Sequence, residues 1–236
     1  MADSDLILQE LSTLLSQQDL VGKTVLITAG PTREFIDAVR FISNPSTGKM
    51  GYALASAARD RGADVILITG PTQLPTPWGV QVVSVVSAAD MHRAVMEHLD
   101  RSHIVIMAAA VSDFKPLQTS DRKIKKEDAT QTLPLGRTED ILHEIGKVGG
   151  KRLLIGFAAE TDNIEQNALK KLNNKHLDMI VVNDLLKSGS GFGSDTNAVT
   201  IIDRSGKKTE LPTMPKTVIA ASIITVISEY LKQQNS

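Results

Sequence analysis

The chain has 236 residues, is 42% hydrophobic and carries a formal charge of -1, which suits one large α/β domain and gives no reason to expect nucleic acid or a membrane surface as a partner. It contains no cysteine, which excludes disulfides and thiolate metal sites and fits a cytoplasmic protein. The amino end lacks the basic start and apolar core of a signal peptide, and the longest apolar run, Thr217 to Ile227, is broken by Ser222 and Thr225 and is too short to cross a bilayer.

Ser4 to Ser16 places Ile7, Leu11 and Leu14 at helical spacing, so a short amphipathic helix leads the chain. Residues 1–20 read as helix and linker, and 21–236 as a single domain. Thr24 to Thr28 is a β-branched apolar run suited to a strand buried on both faces, and Gly30-Pro31 ends it. A long polar loop follows. Ser46 and Thr47 then offer N-cap oxygens to a helix whose first turn holds Gly48, Lys49 and Gly51 and whose alanine-rich body spans Tyr52 to Arg61. With the next strand, Asp64 to Thr69, this makes a βαβ unit whose loop and helix N-terminus favour anions.

Two nucleotide-binding readings of that unit fail on their residues. A Walker A loop needs glycine five residues before its Gly-Lys pair and a hydroxyl residue after it, where this chain has Ser43 and Met50. A dinucleotide fingerprint needs three spaced glycines in the first turn and an acidic end to the second strand. Here Gly30 is followed by Pro31, and the second strand runs out in Thr69-Gly70-Pro71.

A proline-rich loop leads to a third strand, Val80 to Val86, and Ser87 with Asp90 makes a capping-box start for a helix to about Leu99. His103 to Ala108 is a strand that runs into Ala109-Ala110-Val111-Ser112-Asp113-Phe114, where small residues let a flat base approach the backbone. Pro116 to Thr130 is a lysine-rich polar loop containing Lys123-Ile124-Lys125-Lys126, and Thr138 caps a helix from Glu139 to about Lys147. The strand Arg152 to Ala158 ends in Gly156-Phe157-Ala158-Ala159-Glu160-Thr161. A helix over Ile164 to Asn174 presents Lys171 and, just beyond it, Lys175, four apart and able to face one way. Met179 to Asn183 is a further strand, and Gly189 to Gly193 a flexible loop near the site. Asn197 to Asp203 and Lys208 to Leu211 make a hairpin, followed by a terminal helix from about Lys216 to Gln233. The five histidines show no metal-ligand spacing. The notable blocks follow strands one, four and five, so a parallel sheet brings them to one rim.

Thr28 to Glu34 (TAGPTRE) and Val39 to Gly51 (VRFISNPSTGKMG) resemble the signature of the phosphopantothenoylcysteine synthetase family. The AAVSDF, KIKK and GFAAET blocks are similar to later family segments, and so is Glu139 to Leu142, where Glu139 replaces a proline; together they cover about Lys23 to Asn197. The resemblance implies an α/β, Rossmann-like three-layer fold with a mainly parallel central sheet and a C-terminal β-hairpin. It also implies a ligase of coenzyme A biosynthesis: 4'-phosphopantothenate and CTP give an acyl-cytidylate and pyrophosphate, and L-cysteine then displaces CMP. On this resemblance Asn44 and Lys123 carry the chemistry. The nucleotide is contacted by Met107, Ala108, Ala109, Asp113, Lys123, Glu139, Asp140, Ile141, Leu142, Phe157, Lys171 and Lys175. Gly30, Ser46, Thr47, Gly48 and Lys49 are candidates for holding a phosphate. Mg²⁺ is expected to bind mainly through phosphates, with no protein ligand assigned. FMN belongs to the decarboxylase half of the bifunctional bacterial protein, whose junction the amino-terminal segment resembles. A homodimer is implied, with the late hairpin a candidate contact. The residues by themselves leave open an NAD(P) oxidoreductase and a non-catalytic nucleotide sensor.

Overall fold

The computed structural model describes residues 4–125, 132–160, 164–184 and 193–234. Along the first half run α1 (Ser4–Leu15), β1 (Thr24–Ala29), β2 (Arg33–Phe35), β3 (Phe41–Ser43), α2 (Lys49–Asp60), β4 (Asp64–Thr69), β5 (Gln81–Ser84), α3 (Ala88–Leu99) and β6 (Ile104–Met107). The second half adds β7 (Phe114–Pro116), β8 (Leu135–Arg137), α4 (Ile141–Val148), β9 (Leu153–Glu160), α5 (Ile164–Asn174), β10 (Met179–Asp184), β11 (Thr196–Asp203), β12 (Lys208–Pro215) and α6 (Lys216–Gln234).

Strand β1 is apolar without alternation because both of its faces are covered. Val25, Ile27 and Ala29 pack with Leu54, Ala55 and Ala58 of α2 and with Ile219, Ile223 and Ile227 of α6. Leu26 turns the other way, into a layer with Met91 and Val95 of α3, Ile141 and Ile145 of α4, and Leu172 of α5. Each such buried aliphatic side chain contributes about 1.5–3 kcal/mol. The sheet runs β12-β11-β10-β9-β6-β1-β4-β5. Pairing is parallel from β5 across to β10, while β11 and β12 are antiparallel. The fold is thus the expected mainly parallel α/β sheet closed by a C-terminal hairpin. The chain builds outward from β1 through β4 and β5, then returns to place β6 on the other side of β1. The crevice at this reversal, beyond the strands' carboxyl ends, is where open α/β sheets take ligands.

The structure departs from the sequence reading at several ends. The polar loop after β1 contains the paired strands β2 and β3, and the region from Phe114 to Arg137 contains the pair β7 and β8. Three-residue strands are too short to show a period. Helix α2 begins on Gly48, at φ 80, with no side-chain cap; Ser46 Oγ instead accepts the Gly48 N–H at 3.3 Å. The left-handed backbone at Gly48 displaces the expected Ser/Thr cap. Helix α4 is capped by Asp140, which accepts the His143 N–H, and not by Thr138, whose hydroxyl donates to the Ser112 carbonyl at 2.6 Å. Strand β12 continues to Pro215. Lys126, Thr161 and the glycine-rich loop up to 192 lie outside the described residues. Among those described, no helix is long and apolar enough to cross a membrane.

The linker after α1 is tied to the body of the fold by Asp19. Arg61 donates two hydrogen bonds to its carboxylate, and Ser228 and Lys232 of α6 add two more. The Arg61 guanidinium, then Ser228 and Lys232, hold the Asp19 carboxyl well below the usual range against the opposing effect of burial. A carboxyl depressed in the folded state adds stability above its unfolded value of about 3.9, and that stability is lost as pH falls toward the folded value. Asp19→Asn should therefore lower Tm at pH 7 and flatten its decline between pH 5 and 3, measured by calorimetry. An unchanged slope would mean that Asp19 is not coupled to folding.

Candidate functional site

Three strand ends build the rim. Past β1, Gly30 takes φ 74, and a Cβ there would lie 2.9 Å from Thr72 Cγ2. The chain then runs beside the continuation of β6: Ala110 N–H donates to the Gly30 carbonyl at 2.9 Å, and Ala109 N–H to Thr28 Oγ1 at 3.1 Å. This fixes the small-residue backbone from Ala108 to Val111. Asn44 crosses to it from the segment after β3, its Nδ2 donating to the carbonyls of Ala110 and Val111 at 3.1 Å each. Both amide hydrogens are therefore spent, and Oδ1 is the atom that Asn44 can offer. Asparagine before proline is ordinarily a turn residue; this one ties two loops together.

The cavity at this rim is about 690 Å³. Met107, Ala108 and Ala109 line it from the end of β6, Phe157 from β9, and Glu139, Asp140, Ile141 and Leu142 from the start of α4, and Asp113 lines it as well. Lys171 comes from α5 and Lys175 from just beyond it. Asn44, Ser46, Thr47, Gly48 and Lys49 close the α2 side. Gly30 shapes the turn behind the cavity and does not line it. Lys123 does not line it either. It is exposed on a segment pinned to the β2–β3 turn, where Ile124 N–H donates to Asp37 Oδ2 and Arg40 donates to the Ile124 carbonyl, both at 3.1 Å. The cavity therefore gathers every expected site residue except Gly30 and Lys123.

Arg137, Asn183, Asn197 and Lys216 also line the cavity and had no motif to announce them. Arg137 arrives because β8 pairs with β7. Asn197 and Lys216 arrive with the antiparallel return of β11 and β12, as single residues in otherwise unremarkable strand and helix ends.

Five cations, Lys49, Arg137, Lys171, Lys175 and Lys216, line this space together with three carboxylates, Asp113, Glu139 and Asp140. The lining is net positive, as a polyanion requires. Lys175 Nζ lies 2.9 Å from Asp140 Oδ2. Burial opposes the charged form of Asp140, yet the Lys175 ammonium and the His143 N–H keep its carboxyl below the usual range. Glu139 is likewise lowered, first by its own backbone N–H and then by Lys115. The end of α5 sits hard against α4: a Cβ on Gly146, in the middle of α4, would fall 2.1 Å from the Lys175 carbonyl oxygen. Among the described residues no three acidic or histidine side chains converge as a metal site. An ion such as Mg²⁺ fits here only if phosphate oxygens supply most of its ligands.

Comparison with known proteins agrees with the fold. Residues 20–231 match the family described as the DNA/pantothenate metabolism flavoprotein C-terminal domain. The coenzyme A biosynthesis bifunctional protein CoaBC of Bacillus subtilis (strain 168) is 54% identical over 215 residues, covering 91% of this chain and 53% of that protein. Its counterpart in Escherichia coli (strain K12) is 40% identical over 222 residues, covering 92% of this chain and 54% of that one. The chain thus spans about half the length of these curated relatives. A crystal structure of the C-terminal domain of CoaBC superposes with a TM-score of 0.80 at 44% identity, over 92% of this chain and all of that one. A Cab2 mutant in complex with phosphopantothenate-cysteine shares the fold, with a TM-score of 0.72 at 16% identity over 100% of this chain and 97% of that one. With residues 20–231 of its 236 matched by the family model, the chain belongs to the DNA/pantothenate metabolism flavoprotein C-terminal domain family.

Proposed function

We propose that the protein joins 4'-phosphopantothenate to L-cysteine, consuming CTP and passing through an acyl-cytidylate. The observation that carries this reading is one net-positive cavity in which the backbone from Ala108 to Ala110, the start of α4, Lys171, Lys175 and Asn44 meet. The similarity to CoaBC proteins supports it. A carboxylate does not condense with an amine at neutral pH, because its oxygen is a poor leaving group. Transfer of a nucleotidyl group to the acid supplies a good one. That step needs cations against the triphosphate and against the charge gathering on pyrophosphate. We assign that work to Lys171 and Lys175, both of which line the cavity. Bound Mg²⁺, held mainly by phosphate oxygens, would supply further neutralisation. The small backbone at Ala108 to Ala110 gives a base room to lie flat, with Phe157 beside it. Asn44 Oδ1 accepts a hydrogen bond from the attacking amine and so orients it. FMN has no part in this chain's step; it belongs to the decarboxylase half of the fused relatives.

The reading includes a homodimer. Phe35, Val39, Phe41, Phe114, Leu117 and Leu135, on and beside the two short strand pairs, are each between 41% and 65% exposed. Apolar side chains gathered in this way call for a covering surface. The late hairpin is a poorer contact, since β12 exposes Lys208, Glu210, Pro212 and Thr213. Lys123 lies on the side bearing the short strand pairs, so its role in catalysis requires delivery to the second copy's cavity. Lys123→Ala should slow pyrophosphate release on mixing with CTP and phosphopantothenate, and an unchanged rate would remove Lys123 from nucleotidyl transfer.

The decisive assay supplies phosphopantothenate and CTP, adds cysteine last, and follows pyrophosphate and CMP. Pyrophosphate should appear first, with CMP rising only after cysteine. A nucleotide sensor would bind CTP and release neither product.

A further inference from the structure

The end of the cavity between α2 and α6 holds a second cationic pair. Lys49 opens α2 and Lys216 opens α6, and both line the cavity. Lys49 Nζ lies 2.5 Å from Asp195 Oδ1. Lys216, only 6% exposed, donates from its ammonium to the Ser194 carbonyl at 2.5 Å, and its backbone N–H donates to the Asp195 carbonyl at 2.9 Å. Burial, then the nearby Lys49 charge, lowers the Lys216 pKa, and Asp195 opposes them. Two ammonium groups thus share the field of one carboxylate, whose side chain is 85% exposed.

Asn197 sits at the same cavity. It is 4% exposed, and its Oδ1 has no hydrogen-bond partner. A buried carboxamide left unmatched is costly, and turned about its last bond it presents two N–H donors instead. Two ammonium groups with an unmatched amide make a receptor for an anion of more than one charge. The exposed carboxylate beside them is the group such an anion would displace. Lys49, Lys216 and Asp195 also border a neighbouring cavity of about 1120 Å³ between α1, α2 and α6, which gives a displaced carboxylate somewhere to go.

We infer that Lys49, Lys216 and Asn197 form a phosphate subsite in which Asp195 is the resident counter-ion, exchanged for a phosphoryl group when ligand enters. Under the proposed function two ligands bring that chemistry: the polyphosphate of the nucleotide, with the pyrophosphate it leaves, and the phosphate of the acid. The identity of the ligand rests on that function; the exchange at Asp195 does not.

Isothermal titration of wild type, Asp195→Asn and Lys216→Met tests the subsite. The probes are inorganic pyrophosphate, CTP and 4'-phosphopantothenate, with cytidine and pantothenate as phosphate-free controls. Removing the competing carboxylate should tighten binding of a phosphate probe by roughly fivefold in Asp195→Asn, the most that an exposed ion pair ordinarily withholds. Removing the ammonium should weaken the same probe at least about tenfold in Lys216→Met, with both controls unmoved. Whether pyrophosphate and CTP respond, or phosphopantothenate, names the source. Lys216→Met disturbs a buried group, whereas Asp195→Asn changes only a solvent-facing one and is sufficient by itself. Unchanged or weaker binding of all three phosphates to Asp195→Asn overturns the subsite. Tighter pyrophosphate binding in a protein that forms no CMP would uphold the subsite and remove the ligase reading, and the opposite pair of results would do the reverse.

Discussion

Asn44→Asp is expected to slow amide formation by about 10²-fold, the loss that goes with a displaced reacting group, and, under the proposed function, to let the acyl-cytidylate accumulate. Two effects combine. The Asn44 Nδ2 that donates to the Ala110 and Val111 carbonyls becomes an oxygen, which faces two acceptors at 3.1 Å and can donate to neither. The tie between the segment after β3 and the continuation of β6 is lost. The other end of the side chain changes from a neutral acceptor into part of a carboxylate, inside a site that must accommodate phosphates. Nucleotidyl transfer, which the proposed function assigns to the lysines, should be less affected. Rapid quench and mass spectrometry should find the cytidylate persisting for many turnover times of the wild type. Normal turnover by the variant would take Asn44 out of the mechanism.

The largest loss of stability from a small change is expected at Gly70→Ala. Gly70 N–H continues the ladder from β4 to β1 by donating to the Ala29 carbonyl at 2.9 Å, and a Cβ there would fall 1.8 Å from the Pro31 carbonyl oxygen. That oxygen belongs to backbone and cannot rotate away. Nor is Pro31 free to retreat, because it bridges to Ala110 and its neighbour Gly30 accepts the Ala110 N–H. Overpacking ordinarily costs 1–3 kcal/mol, and an overlap with pinned backbone belongs at or above the top of that range, about 3 kcal/mol. For a chain of this size the corresponding fall in Tm is roughly 6–12 °C by calorimetry. Gly206→Ala is the comparison: its φ is 87, but nothing lies within 4 Å of the added Cβ, so it should cost far less. Equal losses in the two variants would mean that the turn at Pro31 yields.

The parts of the fold read correctly from sequence are those where one local signal dominates. Strand β4 and helix α5 have the bounds expected of them, and Ser87 and Asp90 form the reciprocal capping box at the start of α3. The site was legible to the extent that its residues follow directly on buried strands, as Ala108 to Asp113 follow β6. The short strands β2, β3, β7 and β8 were not, because pairing between distant segments makes them and three residues carry no periodicity. The hydrogen-bond direction at Asn44 was hidden for the same reason. Which end of an amide is occupied depends on what another loop brings to it. Lys216 shows the limit most plainly: as a sequence it is one lysine at the start of a helix, and only the return of β12 beside β11 makes it a wall of the cavity.

The close seating of α5's end on Gly146 has a consequence for tuning. Gly146 contributes nothing to the cavity wall, yet any side chain there would push back the carbonyl of Lys175 and with it the base of the ammonium that meets Asp140. Under the proposed function, nucleotide affinity is thereby exposed to change from a helix position that does not line the cavity. Variation at such a position would read as a packing substitution while acting as a binding one.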